Sequence, residues 1–200
     1  MRANARPPEI LILPGRGNSG PGHWQTLWQV ELLGCRRVMQ HEWQNPLLAD
    51  WLLALGRAVQ EASGPVVLVA HSLACALVAH FGHGRLARKV VGALLVAPAD
   101  VEARTANAML SRQFAPVPRS PLPFKTIVVA SDNDPFIELP RAQAYARDWG
   151  AVFVNVGHCG HINVLSGHGA WPEGRRLLDR LVTQPLTPSN HAAAALSLRG

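Results

Sequence analysis

Short apolar runs rich in Val, Ile and Leu alternate with helical patterns along this chain, and this alternation constrains its fold more than any other feature. It is typical of βαβ units, in which parallel strands form one sheet and the connecting helices cover both faces. From the third run onward the runs are almost continuously apolar, as strands buried on both faces must be. The predicted strands are Glu9–Leu13, Arg37–Gln40, Val66–Ala70, Val90–Val96, Thr126–Ala130 and Val152–Val156. We therefore predict an α/β protein, a three-layer α/β/α sandwich around a mostly parallel six-stranded sheet.

Apolar residues at four-residue steps predict the clearest helix between the second and third strands. It runs from Leu47 to Val59, with Asn45 as its capping residue and Pro46 in the first turn, where proline is tolerated. The other predicted helices are His23–Leu33, Leu73–Phe81, Leu139–Trp149 and Pro172–Val182. The segment Pro98–Pro123 contains five prolines and is predicted to be an excursion from the sheet with one short helix near Ala103–Ser111.

Length and composition predict one domain without a membrane span. A chain of 200 residues, 48% of them hydrophobic, has the size and the material for a single core. We assign residues 1–182 to this domain and residues 183–200, rich in Thr, Pro and Ala, to a flexible tail. No apolar stretch reaches the ~20 residues of a transmembrane helix, and the N-terminus lacks the apolar run of a signal peptide. The protein is therefore expected in the cytoplasm, with no membrane partner.

The net charge of +6 raises the question of a nucleic-acid partner. Binding to phosphates requires basic residues that cluster on one face. Here the basic residues form only three short clusters, and these are far apart in the sequence: Arg36-Arg37, Arg85 to Lys89 and Arg175-Arg176. No nucleic-acid partner is predicted.

The sequence His71-Ser72-Leu73 joins the third predicted strand directly to a helix, with Ala70 and Ala74 two positions on either side of the serine. A serine on such a tight strand-to-helix turn is strained and exposes its hydroxyl, and its neighbours at these two positions must be small. The usual pattern has Gly at both positions, and Ala keeps the steric requirement. The alternative is a serine that merely caps the helix.

Two further loops follow predicted strands at the same edge of the sheet, where ligands bind in parallel α/β folds. The fifth strand is followed by an acidic loop with Asp132 and Asp134, and the sixth by a Gly-rich loop with His158 and His161. The chain order Ser, Asp, His is that of the α/β-hydrolase catalytic triad. Either aspartate could supply the acid and either histidine the base.

Other chemistries also remain open for these residues. Cys75 and Cys159 could be reactive thiols, although the position of Cys75 early in a buried helix favours a small core residue. The three cysteines have no CxxC spacing, and a site built from His158, His161 and His168 has no carboxylate to support it. We predict no metal and no cofactor.

A glycine-rich loop, Pro14 to Gly20, follows the first strand. It lacks the G-K-[ST] ending of a phosphate loop and the G-x-G-x-x-G spacing of a dinucleotide site, so no nucleotide is predicted there. In an α/β hydrolase this loop supplies one backbone amide of the oxyanion hole. We assign that amide to Arg16, with Gly17 as the alternative, and the second amide to Leu73.

The chain resembles the small serine hydrolases that include the retinoblastoma-binding serine hydrolase and bacterial YdeN-type proteins. The resemblance covers roughly residues 9–182. The residues that carry it are Leu13-Pro14-Gly15, the serine turn, Asp134-Pro135-Phe136, Cys159-Gly160-His161, Ile162-Asn163, Ser166-Gly167-His168-Gly169 and Trp171-Pro172-Glu173-Gly174. It implies a minimal α/β-hydrolase fold without a large lid. Position by position it implies Ser72 as nucleophile, Asp134 as acid and His161 as base.

The resemblance also implies a function and a pocket. The function is a serine hydrolase that cleaves small ester or amide substrates through an acyl-serine, with esterase activity favoured. The alternative is a regulatory protein of the same fold that binds a protein partner with little turnover, as the retinoblastoma association suggests. Trp24 and His71 are assigned to the substrate pocket, and Trp24 has the alternative of packing on the sheet. Specificity is expected to depend on Trp24, Trp43 and the Pro98–Pro123 excursion.

Overall fold

A computed structural model describes residues 7–104, 109 and 111–183 of the chain. Its sheet has six parallel strands in the order β2-β1-β3-β4-β5-β6. The strands are β1 Glu9–Leu13, β2 Cys35–Arg37, β3 Val66–His71, β4 Val90–Val96, β5 Lys125–Ala130 and β6 Val152–Asn155. The helices are α1 Trp24–Glu31, α2 Leu48–Glu61, α3 Leu73–Phe81, α4 Leu139–Asp148 and α5 Pro172–Thr183. The predicted α/β sandwich is confirmed.

Alternate residues of the strands pack into two separate hydrophobic cores, one on each face of the sheet. Leu11 and Leu13 of β1 join the core beneath α2, α3 and α4, whereas Ile12 between them joins the core beneath α1 and α5. Side chains alternate between the faces of a strand, so a strand covered on both faces must be apolar at every position. β3 is buried along its whole length and apolar at every position except its last residue, His71, as suits its place in the middle of the sheet.

The second strand lies two to three residues earlier than predicted. β2 pairs with β1 through Cys35, Arg36 and Arg37, and not through the more apolar run that ends at Gln40. β2 is an edge strand, and its side chains can be polar because one side of it reaches solvent. The Arg37 guanidinium, for example, donates to the Asn18 and Thr26 side chains.

The predicted cap of the second helix is wrong. α2 begins at Leu48, its N-cap is Leu47, and no side chain caps it. Asn45 lies upstream in a turn in which its own backbone N–H donates to the Glu42 carboxylate at 3.3 Å. Its side chain is therefore too early in the chain to accept from the first helical N–H groups.

Two predicted segments extend beyond the described residues. Ala103–Ser111 lies partly outside them, and a short 3-10 helix, Arg112–Phe114, follows directly after it. The predicted tail lies outside from residue 184 onward, and Thr183 is the last residue of α5. In the described part of the chain, none of the helices combines the length and apolarity that crossing a bilayer requires.

Candidate active site

Ser72 occupies a strained turn between β3 and α3. Its backbone dihedrals are φ 58° and ψ −123°, a region that non-glycine residues rarely enter and that costs about 1 to 3 kcal/mol. The Ser72 N–H donates to the carbonyl of Val96 on β4 at 3.0 Å, which fixes the turn to the neighbouring strand. Ala70 and Ala74, the small residues on either side, are completely buried. The turn leaves the Ser72 side chain at the surface of a cleft.

Glycine is required at position 15 because the β1 loop passes directly over this turn. A Cβ atom added at Gly15 would lie 2.8 Å from Cβ of Ser72 and 3.0 Å from the carbonyl oxygen of His71. The first distance is shorter than Cβ contacts allow, and the second is tighter than most of them. The close approach places the start of the glycine-rich loop beside the serine hydroxyl.

Hydrogen bonds connect Ser72, His161 and Asp134 in one continuous chain. Nε2 of His161 lies 2.9 Å from Oγ of Ser72, and Nδ1 of His161 lies 2.9 Å from each carboxylate oxygen of Asp134. The Asp134 side chain is fully buried, and one of its oxygens also accepts from the Phe136 N–H at 2.9 Å. With the imidazole proton on Nδ1, Nε2 is free to accept the serine proton. The three residues predicted from the sequence thus lie in contact.

The other aspartate and histidine of the two loops lie away from the serine and face each other. Nδ1 of His158 lies 3.8 Å from a carboxylate oxygen of Asp132, and the His158 side chain is 80% exposed. Asp132 also accepts from the Asn155 side chain at 2.7 Å. The geometry therefore favours Asp134 over Asp132, and His161 over His158.

The acidic loop and the histidine loop are linked by side-chain hydrogen bonds that the sequence did not reveal. Oδ1 of Asn133 accepts from the N–H of Gly160 at 2.8 Å and from the hydroxyl of Ser131. The same hydroxyl accepts from the N–H of Cys159 at 2.9 Å. These bonds hold the residues just before His161 against the loop that carries Asp134.

The cleft above Ser72 is small and has two unlike walls. Its volume is about 230 Å³. On the β1 side lie polar residues of the glycine-rich loop, and on the β4 and β5 side lie Ala99, Val101 and Phe136. The lining residues are Gly15, Arg16, Asn18, His23, His71, Ser72, Leu73, Ala99, Asp100, Val101, Ser111, Phe136, His161, Asn163 and Leu165.

The three predicted oxyanion amides differ in whether their N–H already has an acceptor among the described residues. Leu73 is the first residue of α3, so its N–H has no partner within the helix. Among the described residues no acceptor bonds the Arg16 N–H, whereas the Gly17 N–H donates to the carbonyl of Trp43 at 2.9 Å. The alternative assignment to Gly17 is therefore corrected, because its amide already donates to another carbonyl group.

Trp24 is not a wall of the pocket, and this prediction is corrected too. Its side chain is completely buried and its Nε1–H donates to the carbonyl of Ile162 at 2.9 Å. The adjacent residue His23 lines the cleft instead, together with the predicted His71. Trp43, expected to influence specificity, packs edge-on against Trp51 rather than in the cleft. The Pro98–Pro123 excursion does form part of the cleft lining, through the residues from Ala99 to Val101 and through Ser111.

Burial keeps the imidazoles and thiols around the triad in their neutral forms. Burial first, and then the charges of Arg37 and His161, lower the pKa of His23 to about 4. Burial likewise lowers the pKa of His71 well below its usual value. Burial raises the pKa of Cys75 and, less strongly, of Cys159, which disfavours both as thiolate nucleophiles.

His158, His161 and His168, the histidines of the alternative metal site, have separate partners. His161 bonds Ser72 and Asp134, His158 faces Asp132, and Nδ1 of His168 lies 3.3 Å from Oγ of Ser166. Within residues 7–104, 109 and 111–183, no cluster of three or more His, Cys, Asp or Glu side chains could hold a metal ion.

Comparisons with known proteins agree with this fold. The profile of the serine hydrolase family matches residues 10–180. Among solved structures, a YdeN-like hydrolase from Pectobacterium atrosepticum is 30% identical, with a TM-score of 0.78 over 88% of this chain and 91% of that one. The ydeN product of Bacillus subtilis is 20% identical, with a TM-score of 0.71 over 87% of this chain and 98% of that one.

A more distant neighbour shares the fold. An esterase from Thermogutta terrifontis, solved with butyrate bound, is 15% identical, with a TM-score of 0.62 over 88% of this chain and 82% of that one. Among curated proteins, none matches the sequence. The family profile and these hydrolase structures favour hydrolysis over partner binding without turnover. The chain is a hydrolase with the α/β-hydrolase fold, and it belongs to the serine hydrolase family, in the group of small YdeN-type members.

Proposed function

We propose that this protein is an esterase that hydrolyses small carboxylic esters through an acyl-serine at Ser72. The observation that carries the proposal is the hydrogen-bonded chain from Ser72 through His161 to Asp134, with 2.9 Å at each step and the serine end at the cleft. Amides are a slower class of substrate for the same chemistry.

Acylation begins when Oγ of Ser72 attacks the ester carbonyl carbon and its proton passes to Nε2 of His161. Asp134 holds the imidazole with Nδ1 protonated and stabilises the imidazolium that forms. The tetrahedral intermediate then collapses, the bond to the alcohol oxygen breaks, and His161 returns the proton to the departing alcohol. Water, deprotonated by His161, attacks the acyl-serine in the same way and releases the carboxylic acid and the free serine.

The backbone amides of Leu73 and Arg16 are the proposed donors to the carbonyl oxygen as it becomes negative. Leu73 lies at the N-terminus of α3, where the N–H groups and the helix dipole both favour an anion. In comparable enzymes one such donor contributes about 3 to 4 kcal/mol to transition-state stabilisation.

The cleft favours short acyl groups. Its volume of about 230 Å³ is below the roughly 300 to 1,000 Å³ of pockets for drug-sized ligands. Ala99, Val101 and Phe136 give it one apolar wall, and the Phe136 ring lies 4.3 Å from the His161 ring, centroid to centroid. The butyrate in the distant Thermogutta esterase is a ligand of this size class, and it suggests a butyryl ester as the first substrate to test.

The test of the proposed nucleophile is labelling with a fluorophosphonate probe, with Ser72→Ala as the control. We expect the wild type to be labelled stoichiometrically and the variant to remain unlabelled. A wild type that resists the probe, or a variant that is labelled equally, would refute the role of Ser72.

The substrate class is tested with p-nitrophenyl esters of increasing acyl length beside aminoacyl amides. We expect kcat/KM to be highest for short acyl chains such as acetyl or butyryl, and to fall for octanoyl because the cleft is too small. Faster cleavage of the amides than of every ester would contradict the esterase assignment.

A further inference from the structure

The loop that carries His161 has a positive φ on each side of the histidine. Gly160 has φ 55° and Ile162 has φ 47°. Glycine adopts this region freely, but for a β-branched residue it is a genuine outlier, and Ile162 is also completely buried. The backbone directly after His161 is therefore held by the surroundings in a conformation that it would not adopt alone.

The side chains of His71 and Trp24 form hydrogen bonds with the backbone of this turn. Nε2 of His71 lies 2.9 Å from the carbonyl oxygen of His161, and Nε1 of Trp24 donates to the next carbonyl, that of Ile162, at 2.9 Å. A carbonyl oxygen can only accept, so the proton of neutral His71 lies on Nε2. Successive carbonyls of the turn are thus bonded by side chains from two different elements, β3 and α1.

Both side chains are themselves fixed. His71 is the last residue of β3, next to Ser72, and its ring packs at 4.8 Å from the His161 ring. Trp24 is enclosed by Trp28 and Trp171, at ring distances of 4.7 and 5.0 Å, and its ring meets His71 edge-on at 5.9 Å. Neither donor can follow the turn if the turn relaxes.

We infer that His71 and Trp24 are positioning residues, which clamp the strained histidine turn so that Nε2 of His161 stays within hydrogen-bond distance of Oγ of Ser72. His71 links the two loops most directly, because its backbone adjoins the nucleophile and its side chain bonds the backbone of the base. This inference rests on the proposed function of the triad, and it assigns to Trp24 a role other than that of a pocket wall.

The test compares two substitutions at position 71. His71→Leu removes the donor, whereas His71→Gln retains an N–H near the position of Nε2. Activity on p-nitrophenyl butyrate is normalised to the concentration of active sites titrated with the fluorophosphonate probe, so that any unfolded fraction is not counted. We expect kcat to fall about 10- to 100-fold in His71→Leu because the base is misplaced. KM should change by less than about threefold, because His71 lines the cleft but is only 5% exposed and presents little surface to the substrate. His71→Gln should recover most of the loss.

Trp24→Phe provides an independent test because it removes the indole N–H and retains an aromatic ring in the core. We expect a fall in kcat of about 3- to 10-fold with KM again nearly unchanged, since a single neutral hydrogen bond is lost. Wild-type kcat in both His71→Leu and Trp24→Phe would overturn the inference. Equal losses in the Leu and Gln variants of His71 would also overturn it, because the hydrogen bond would then not be the cause.

The failure of the proposed function has a different signature. A wild type with no reaction towards the probe would refute the esterase. The positioning role of His71 would then be tested without activity, by the low-field NMR signal of the proton on Nδ1 of His161. Loss of that signal in His71→Leu and its retention in His71→Gln would support the clamp. An unchanged signal in His71→Leu would refute it.

Discussion

Two aspartates of one loop, Asp132 and Asp134, have opposite environments, and a matched pair of substitutions separates their roles. We expect Asp134→Asn to lower kcat by about 10³- to 10⁴-fold, because the amide no longer selects the tautomer with a proton on Nδ1 of His161. Asp132→Asn should retain nearly full kcat, because Asp132 bonds Asn155 and the exposed His158 and not the triad. The measurement is kcat on p-nitrophenyl butyrate for both variants.

A comparable loss in the two variants would contradict this assignment, because it would indicate a general effect of the loop. Far-UV circular dichroism of both variants serves as the folding control. Asp134 is fully buried and its Oδ1 accepts from the Phe136 N–H, so the Asn variant must retain an oxygen at that position for the comparison to be valid.

At the scale of single residues, the triad was predictable and its supports were not. Ser72, Asp134 and His161 each follow a predicted strand, so their shared edge of the sheet could be inferred from the chain order alone. The roles of Trp24 and Gly17 depend on carbonyl groups distant in sequence, those of Ile162 and Trp43. A local pattern contains no information on which distant carbonyl a side chain or an amide will meet.

At the scale of elements, the loop after β1 lies so close to the serine turn that a methyl group added at Gly15 should push the two apart. We expect Gly15→Ala to lower kcat/KM by about 100-fold, because its Cβ would lie 2.8 Å from Cβ of Ser72 and would displace the reacting groups by a fraction of an ångström or more. Gly20→Ala in the same loop is the control, since nothing lies within 4 Å of its added Cβ. Equal kcat/KM for Gly15→Ala and Gly20→Ala would show that the close approach is not required.

The Pro98–Pro123 excursion is fixed to α4 by ion pairs, and these should influence substrate binding. Nε of Arg141 lies 3.3 Å from a carboxylate oxygen of Asp100, and Arg141 also bonds Glu102. Asp100 and the adjacent Val101 line the cleft. Releasing this contact should therefore loosen one wall of the pocket without moving the triad.

We expect Arg141→Gln to raise KM for p-nitrophenyl butyrate about 3- to 10-fold, equivalent to roughly 1 kcal/mol of binding, with a smaller change in kcat. Arg147→Gln on the same helix is the control, because the Arg147 side chain is 74% exposed and, among the residues that the structure describes, forms an ion pair only with its neighbour Asp148. A fall in kcat at constant KM in Arg141→Gln would instead connect the ion pairs to the triad.

The position of the edge strand shows why element boundaries were less predictable than the central sheet. β3 is buried on both faces, and its continuous apolar run identified it from sequence except for its last residue, His71. β2 carries Arg36 and Arg37 and is only half-covered, so burial does not dictate its composition. The apolar pattern then placed the strand on the next apolar residues, Val38 and Met39.

At the scale of the whole molecule, the topology followed from very few rules. Strands that alternate with helices, and connections that return to the same edge, bring every strand-to-helix loop together. That edge carries Ser72 after β3, Asp134 after β5 and His161 after β6. The course of the Pro98–Pro123 segment followed from no such rule, because its position depends on Arg119 and Arg141 and not on its own period.

Stability of the whole domain should fall on mild acidification because of a buried histidine. The pKa of His23 is lowered from 6.5 to about 4 in the folded protein, mainly by burial. The unfolded chain therefore binds more protons between these two values, and stability is complete above pH 6.5 and lost progressively towards pH 4. The loss from this group is roughly 3 kcal/mol at most, and His71, whose pKa is also lowered, adds to it.

His23→Asn isolates this contribution, because Asn retains the capping acceptor that His23 provides to the Gln25 N–H at the start of α1. We expect the free energy of unfolding, measured in urea at intervals from pH 7 to pH 4.5, to decrease less steeply in His23→Asn than in the wild type. The carboxylates whose pKa values are lowered, such as Glu102, start from 4.5 and contribute mainly below this range. Parallel curves for the two proteins would mean that His23 has the same pKa in the folded and unfolded states, and would place its imidazole in contact with water at the cleft.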